Sequence, residues 1–239
     1  MPDSVAAADP GLSATWRPQG FGEQRARQIE DPLIEPLWSG VRVLVHLDGG
    51  AAEIVDVDGE TVIETTIATA VAEALQADSA VIDGYLTSDP TRTGEGVIVG
   101  SGVRTPSAGQ MTRRLLIGGS PEREARVEAL RRTSEALAAA EAGRPGLGER
   151  VVLVAVDLLA LDGDSLLDVP LLERKRLLDA VVDEADLVRR GIHVRPPADR
   201  WLATWRSLGF SAVAYKAANS RYRPGEPNDG WAVAALPTR

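Results

Sequence analysis

Apolar residues recur at every second position in some stretches of the chain and at every third or fourth in others. These two rhythms predict its elements. Val41, Val43 and Val45 alternate with Arg42, Leu44 and His46, and Asp48-Gly49-Gly50 supplies turn residues that close a strand and open a hairpin. Strands over 52–57 and 61–64, joined through Asp58-Gly59, extend this into an antiparallel meander. Ile67, Val71, Ala74 and Leu75 return at helical spacing within 66–76. Ser79 to Leu86 reads as a buried strand, and Val151 to Leu161 is apolar almost throughout, the pattern of a central strand covered on both faces. Pro170 opens a helix, and a further helix over 198–208 carries Trp201, Leu202 and Trp205 on one face, which predicts that all three are core.

The remainder is punctuated by breakers. Residues 1–30 are rich in Ala, Pro, Gly and Gln with little periodicity and read as a flexible N-terminal arm, with Trp16 as its anchoring aromatic. Residues 31–239 then form the folded unit, interrupted at about 89–149 by a divergent insert. The insert begins as Gly- and Pro-rich loop. It continues as a helix opened by Ser120-Pro121-Glu122, whose mixed charges suit a solvated face, and ends at Gly143-Arg144-Pro145-Gly146.

Composition narrows the chemistry. The chain has 239 residues, enough for a large packed core, and no cysteine, which excludes disulfides, thiol nucleophiles and thiolate metal sites. Its two histidines, His46 and His193, lie far apart in sequence, so no zinc site and no metal site of any kind is expected. Each histidine reads as structural. No apolar run approaches the roughly 20 residues that span a bilayer, and a cytoplasmic protein without membrane contact is expected. The net charge of -9 opposes general binding to nucleic acid, although Arg104, Arg113 and Arg114 could reach a phosphate backbone locally. Arginine is abundant, yet the only lysines are Lys175 and Lys216. Lys175, beside Glu173 on a charged helix face, reads as a surface residue.

Five segments, in order, carry a family resemblance. They are Glu35-x-Leu37-x-Ser39-Gly40-x-Arg42 before a strand and Gly turn, the strand ending Asp83-Gly84-Tyr85, and Val156-Asp157-Leu158-Leu159 leading through Gly163 to Pro170-Leu171-x-x-Arg174-x-x-Leu177-Leu178. The last two are Ser211-Ala212-Val213-Ala214-Tyr215-Lys216 with Ser220-x-Tyr222-x-Pro224-Gly225, and Trp231-x-Val233-x-Ala235. Together they resemble the adenylation domain of ATP-dependent DNA ligases. The resemblance implies an α+β fold of two antiparallel β-sheets flanked by helices, the ATP-grasp-like nucleotidyltransferase fold of DNA ligases and mRNA capping enzymes, here without a C-terminal OB domain. In that family a lysine attacks the α-phosphate of ATP, and here its position is Leu37, whose hydrocarbon has no lone pair to offer phosphorus. Family acids fall on Ser39, Tyr85 and Ser211, two phosphate-directed lysines on Val233 and Ala235, and the adenine-stacking aromatic on Val156.

The resemblance thus implies a degenerate member: a catalytically inactive binding or accessory module in DNA repair or recombination, with no required cofactor. Glu35, Arg42, Val156 and Lys216 would be a vestigial nucleotide site; Glu35 and Arg42 could equally be a buried pair holding the hairpin. Its partner would be a repair or ligase protein, or DNA bound weakly. Two alternatives remain. Lys216 is the only lysine that the family geometry places near the pocket, so an active ligase or nucleotidyltransferase using ATP and Mg2+ would use it, or a lysine supplied by a partner, as substitute nucleophile, unless Lys216 merely forms a salt bridge there. The other is a reversible nucleotide-binding sensor.

Overall fold

The computed structural model describes residues 15–38, 40–62, 65–87, 151–208 and 210–236. In chain order the elements begin with β1 (Gly20–Phe21), a 3-10 turn (Ala26–Gln28), β2 (Pro32–Pro36), β3 (Val41–Asp48), β4 (Ala51–Asp56), α1 (Thr65–Ala74) and β5 (Ser79–Thr87). After them come β6 (Val152–Leu161), β7 (Asp164–Ser165), α2 (Leu171–Val181), β8 (Val188–Arg190) and α3 (Asp199–Ser207). The last are β9 (Ala212–Ala217), β10 (Pro227–Asn228) and β11 (Trp231–Ala235). The predicted insert over 89–149, with Arg104, Arg113 and Arg114, lies outside the described residues, as does Ser39.

Two sheets organise these elements. The larger runs β4-β3-β5-β6-β7, antiparallel throughout, with β8 added parallel to β6. The smaller runs β11-β9-β2, also antiparallel. This is the α+β, two-sheet architecture. One face of the large sheet presents Val43, Val45, Ile82 and Leu153 to Ile67 and Val71 of α1 and to Leu178 of α2. The outer face of the small sheet packs Ile34 and Val213 against Trp205 of α3, Phe210 and Leu236. The remaining face of each sheet looks toward the other. Leu33, Leu44, Val81, Leu159, Tyr222 and Trp231 meet there in a further apolar cluster.

Glycine is required at two points of this frame. Gly40 has φ +143°, and a Cβ there would lie 2.1 Å from the Leu86 carbonyl oxygen, so the approach of β2 to β3 passes through a position that no side chain fits. At the β5–β6 irregularity a Cβ on Gly84 would lie 2.8 Å from the Val154 carbonyl oxygen.

Three expectations need correction. Residues 15–30 are not a loose arm: Gln19 and Ile29 are buried and β1 pairs in parallel with β10, because Gly20 and Gly22 donate backbone hydrogen bonds to Glu226 and Asn228 carbonyls. Trp201 is 44% exposed, whereas Trp205 is buried, so the short helix buries only the middle of its aromatic stripe. The strand over 61–64 reduces, among the described residues, to a bridge between Thr61 and Val55.

Gly84→Ala, which forces a methyl into the Val154 backbone, is expected to cost about 1–3 kcal/mol in urea unfolding with unchanged secondary structure. A cost below about 0.5 kcal/mol would mean that β5 and β6 can separate without penalty.

Candidate functional site: a buried charge layer between the sheets

Strand alternation decides which side chains of the small sheet look inward. Leu33 and Trp231 belong to the inter-sheet cluster, which places Glu35 and Leu37 of β2 and its extension, Ala212, Ala214 and Lys216 of β9, and Val233 and Ala235 of β11 on that same face. The register then sorts them into rows across the sheet. Trp231, Lys216 and Leu33 form one row and Val233, Ala214 and Glu35 the next. The third row is Ala235, Ala212 and, through its N–H to the Ala212 carbonyl, Leu37. Positions scattered over 200 residues of sequence thereby become neighbours, and in the third row all three are hydrocarbon.

The second row carries the charge. Glu35, 4% exposed, sits between both lysines of the chain: Lys175 Nζ is 2.7 Å from its Oε1 and Lys216 Nζ is 2.8 Å from its Oε2. Lys175 is therefore not the surface residue expected. It is 2% exposed, because α2 packs against β6 and turns Lys175 inward, where its ammonium also donates to the Val156 carbonyl. Lys216 lies in addition 4.2 Å from the centre of the Trp231 ring, a cation–π contact. Burial acts to raise the Glu35 pKa, but the two ammonium charges outweigh it and hold the carboxyl at about 2, against an ordinary 4.5.

His193 adjoins this group. Ile34 and Val194 exchange backbone hydrogen bonds, which sets His193 opposite Glu35 on the flank of β2. Burial, then the Lys175 charge, lowers its pKa against the pull of Glu35, so the imidazole is neutral at pH 7. His46, on β3, is likewise lowered, first by burial.

On the facing sheet, Arg42 forks onto Asp83, with Nε 3.0 Å from Oδ1 and Nη2 2.6 Å from Oδ2, and it donates to the Gln19 carbonyl as well. Tyr222 donates to the same Asp83 at 2.7 Å and accepts the Gln19 N–H at 2.9 Å. Arg174 makes a second fork onto Asp157, at 2.9 and 2.8 Å, and its guanidinium lies over the Tyr222 ring. Arg42 lies 5.9 Å from the centres of both the Trp231 and the Tyr85 ring. Tyr222 and Trp231 thus join the ion groups into one layer. Both Arg–Asp forks are neutral overall, whereas two ammoniums on one carboxylate leave a surplus positive charge.

Of the predicted nucleotide residues, the structure brings Glu35, Lys216 and Val156 together, with Arg42 across Trp231. Glu35 and Arg42 do not pair with each other. Tyr85 is buried with Val152, Val154 and Val156, and Trp38 packs against them, filling that part of the inter-sheet face. Ser211 and Ala235 are exposed, and Leu37 and Val233 half-buried. Among the described residues no cluster of three His, Asp or Glu side chains suits a metal, and the positions that the resemblance gives to metal-holding acids carry a phenol and a hydroxyl. These residues do not fit a Mg2+ ion. Sequence reading took Lys175 for a surface residue, gave Asp157, Arg174 and Tyr222 no role within the motifs that contain them, and missed Gln19. The signal that could have found the first was the rarity of lysine itself.

Comparison with known proteins places this geometry. No protein-family model matches the chain. A DNA ligase from Thermococcus fumicolans is 25% identical over 224 residues, which cover 87% of this chain and 34% of that protein. The ligase domain of LigD from M. tuberculosis superposes with a TM-score of 0.58 at 24% identity, over 91% of this chain and 58% of that one. A structure of mycobacterial DNA ligase D complexed with ATP and MES gives 0.56 at 22%, over 91% and 59%. The fold is that of DNA ligase nucleotidyltransferase domains. The chain is thus similar in sequence to a DNA ligase and in fold to the mycobacterial ligase structures, while spanning about a third of the Thermococcus fumicolans ligase and about three fifths of the mycobacterial chains. No helix among the described residues is long and apolar enough to cross a membrane.

Glu35→Gln, which strands two ammoniums, is expected to destabilise the fold by about 3–5 kcal/mol, and Lys175→Met, which leaves a one-to-one pair, by less than half of that. Urea unfolding of both variants checks the order. In the parent, the Glu35 contribution is full above pH 4.5 and lost as pH falls toward 2, since the folded carboxyl is the stronger acid. A stability profile flat from pH 5 to pH 2 would contradict the pairing.

Proposed function

We propose that this chain is a ligase-type adenylation domain that does not form a lysyl-AMP, and that it serves as a binding or accessory module for a repair or ligase protein. The observation that carries this reading is the fate of its amines. Covalent transfer of AMP in such domains needs a lysine free to attack phosphorus. Here the nucleophile's position is Leu37, and both lysines of the chain are buried as ammonium partners of Glu35. Lys216 is an unpromising substitute: attack would require it to leave both the Glu35 carboxylate and the Trp231 face that it contacts. Phosphoryl transfer also depends on charge compensation, and Val233, Ala235 and Ser211 offer none.

A second reading, reversible nucleotide binding, draws on separate observations. The surplus buried positive charge favours an anion, and the buried Gln19 Nε2 and Trp38 Nε1 have no hydrogen-bond partner among the described residues. A nucleotide would supply acceptors to both. Weak DNA contact, a role in repair and a cytoplasmic location belong to the same proposal, supported by the ligase homology and by the lack of a membrane-crossing helix among the described residues.

Two measurements divide these readings. Incubation with ATP and Mg2+ followed by intact mass is expected to show the unmodified chain alone; an AMP adduct, mapped to Lys216 or Lys175, would establish an active nucleotidyltransferase. Thermal melting with ATP, with and without Mg2+, reads reversible binding, because a ligand that binds only the folded state raises the melting temperature. The expected rise, if the site binds, is the same with and without metal.

A further inference from the structure

The small sheet has unequal edges. At the β2 edge, Ile34 exchanges backbone hydrogen bonds with Val194. At the other edge, β11, the Trp231 carbonyl accepts from Gly22, but no described residue takes the outward groups of Val233 or Ala235. Their direction follows from the ladder. Ala217 and Gly230 form a hydrogen-bonded pair, so Ala232 and Ala234 bond to β9 while Trp231, Val233 and Ala235 turn their N–H and C=O groups away from it.

Such an edge is usually blunted by charge, proline or a covering segment. The Trp231–Ala235 strand has no charged residue and no proline. The segment after β1 runs alongside without bonding to it beyond Gly22. Between them lies a groove of about 690 Å3 lined by residues 22–27 with Val233 and Ala234. Arg25 and Arg27 stand exposed on its far wall, with Glu23 as the one acid.

We propose that the β11 edge is a strand-addition site for an extended acidic peptide of a partner protein. The peptide backbone pairs with the outward groups of Val233 and Ala235, and its alternate carboxylates face Arg25 and Arg27. Charge selects this occupant over a second copy of the chain. A two-fold pairing of β11 with β11 would set like arginine pairs on both sides of one ribbon, whereas an acidic strand meets Arg25 and Arg27 with opposite charge. The proposal is independent of whether the charge layer binds a nucleotide.

Val233→Pro tests the backbone part cleanly, since that N–H points away from β9 and its loss leaves the β9 ladder whole. The probe is a short fluorescein-labelled peptide of alternating valine and glutamate, with the same peptide bearing lysine for glutamate as control, read by anisotropy. Saturable binding of the acidic peptide is expected, with no binding of the lysine peptide. Val233→Pro should abolish it, and the exposed double variant Arg25→Glu/Arg27→Glu should weaken it about tenfold or more. Amide exchange in the parent should slow at Val233 and Ala235 when peptide is added. Absence of saturable binding, equal binding of the two peptides, or binding unchanged in both variants would overturn the proposal. A dimer in sedimentation that Val233→Pro dissolves would overturn it in favour of self-pairing.

Discussion

One carboxylate between two ammoniums governs the interior of this molecule. Glu35 comes from the edge of the small sheet, Lys216 from its middle strand, and Lys175 from the helix packed on β6 of the large sheet, so a single acid fastens three elements. Charges taken out of water cost several kcal/mol each unless each finds a partner of good geometry. The rest of the layer obeys the same constraint. Arg42 and Arg174 fork onto Asp83 and Asp157, and the two aromatic rings between them, Tyr222 and Trp231, present their faces to cations and, in Tyr222, a hydroxyl to an acid. Fold and site are therefore one structure here, because removing Glu35 would unfasten both.

The same arrangement bears on chemistry, because it leaves neither lysine unpaired. If Leu37 stands where a nucleophile would, another amine is the remaining route to attack. In this chain the supply of amines is two, and the fold has committed both to structure. The neighbouring row, Leu37, Ala212 and Ala235, is hydrocarbon across the full width of the sheet. The register shows that Leu37, Ala212 and Ala235, far apart in sequence, form one contiguous apolar row.

Much of the scaffold was legible in the sequence because local pattern and tertiary role agreed. The alternation over 41–47 and the unbroken apolar run of 151–161 are β3 and the central β6, and the glycine of Asp83-Gly84 is required by the close approach of β6. Legibility ended where tertiary placement overrode local surroundings. Lys175 has Glu173 and Arg176 beside it, as a solvated face would, and only the packing of α2 against β6 turns it inward. Trp201 shares a helical stripe with Trp205 but lies beyond the covered part of a nine-residue helix. Gln19 sits in a segment of low periodicity, and its burial depends on a partner strand 200 residues away.

Because the chain has only two lysines, their ammonium groups can be observed directly and without ambiguity by nitrogen-15 NMR. Buried ion pairs slow proton exchange, so two slowly exchanging ammonium signals are expected at neutral pH, both shifting as acid titrates Glu35 toward pH 2. A spectrum in which either signal is lost to fast exchange at neutral pH would show an amine that is free of Glu35, and would contradict the account.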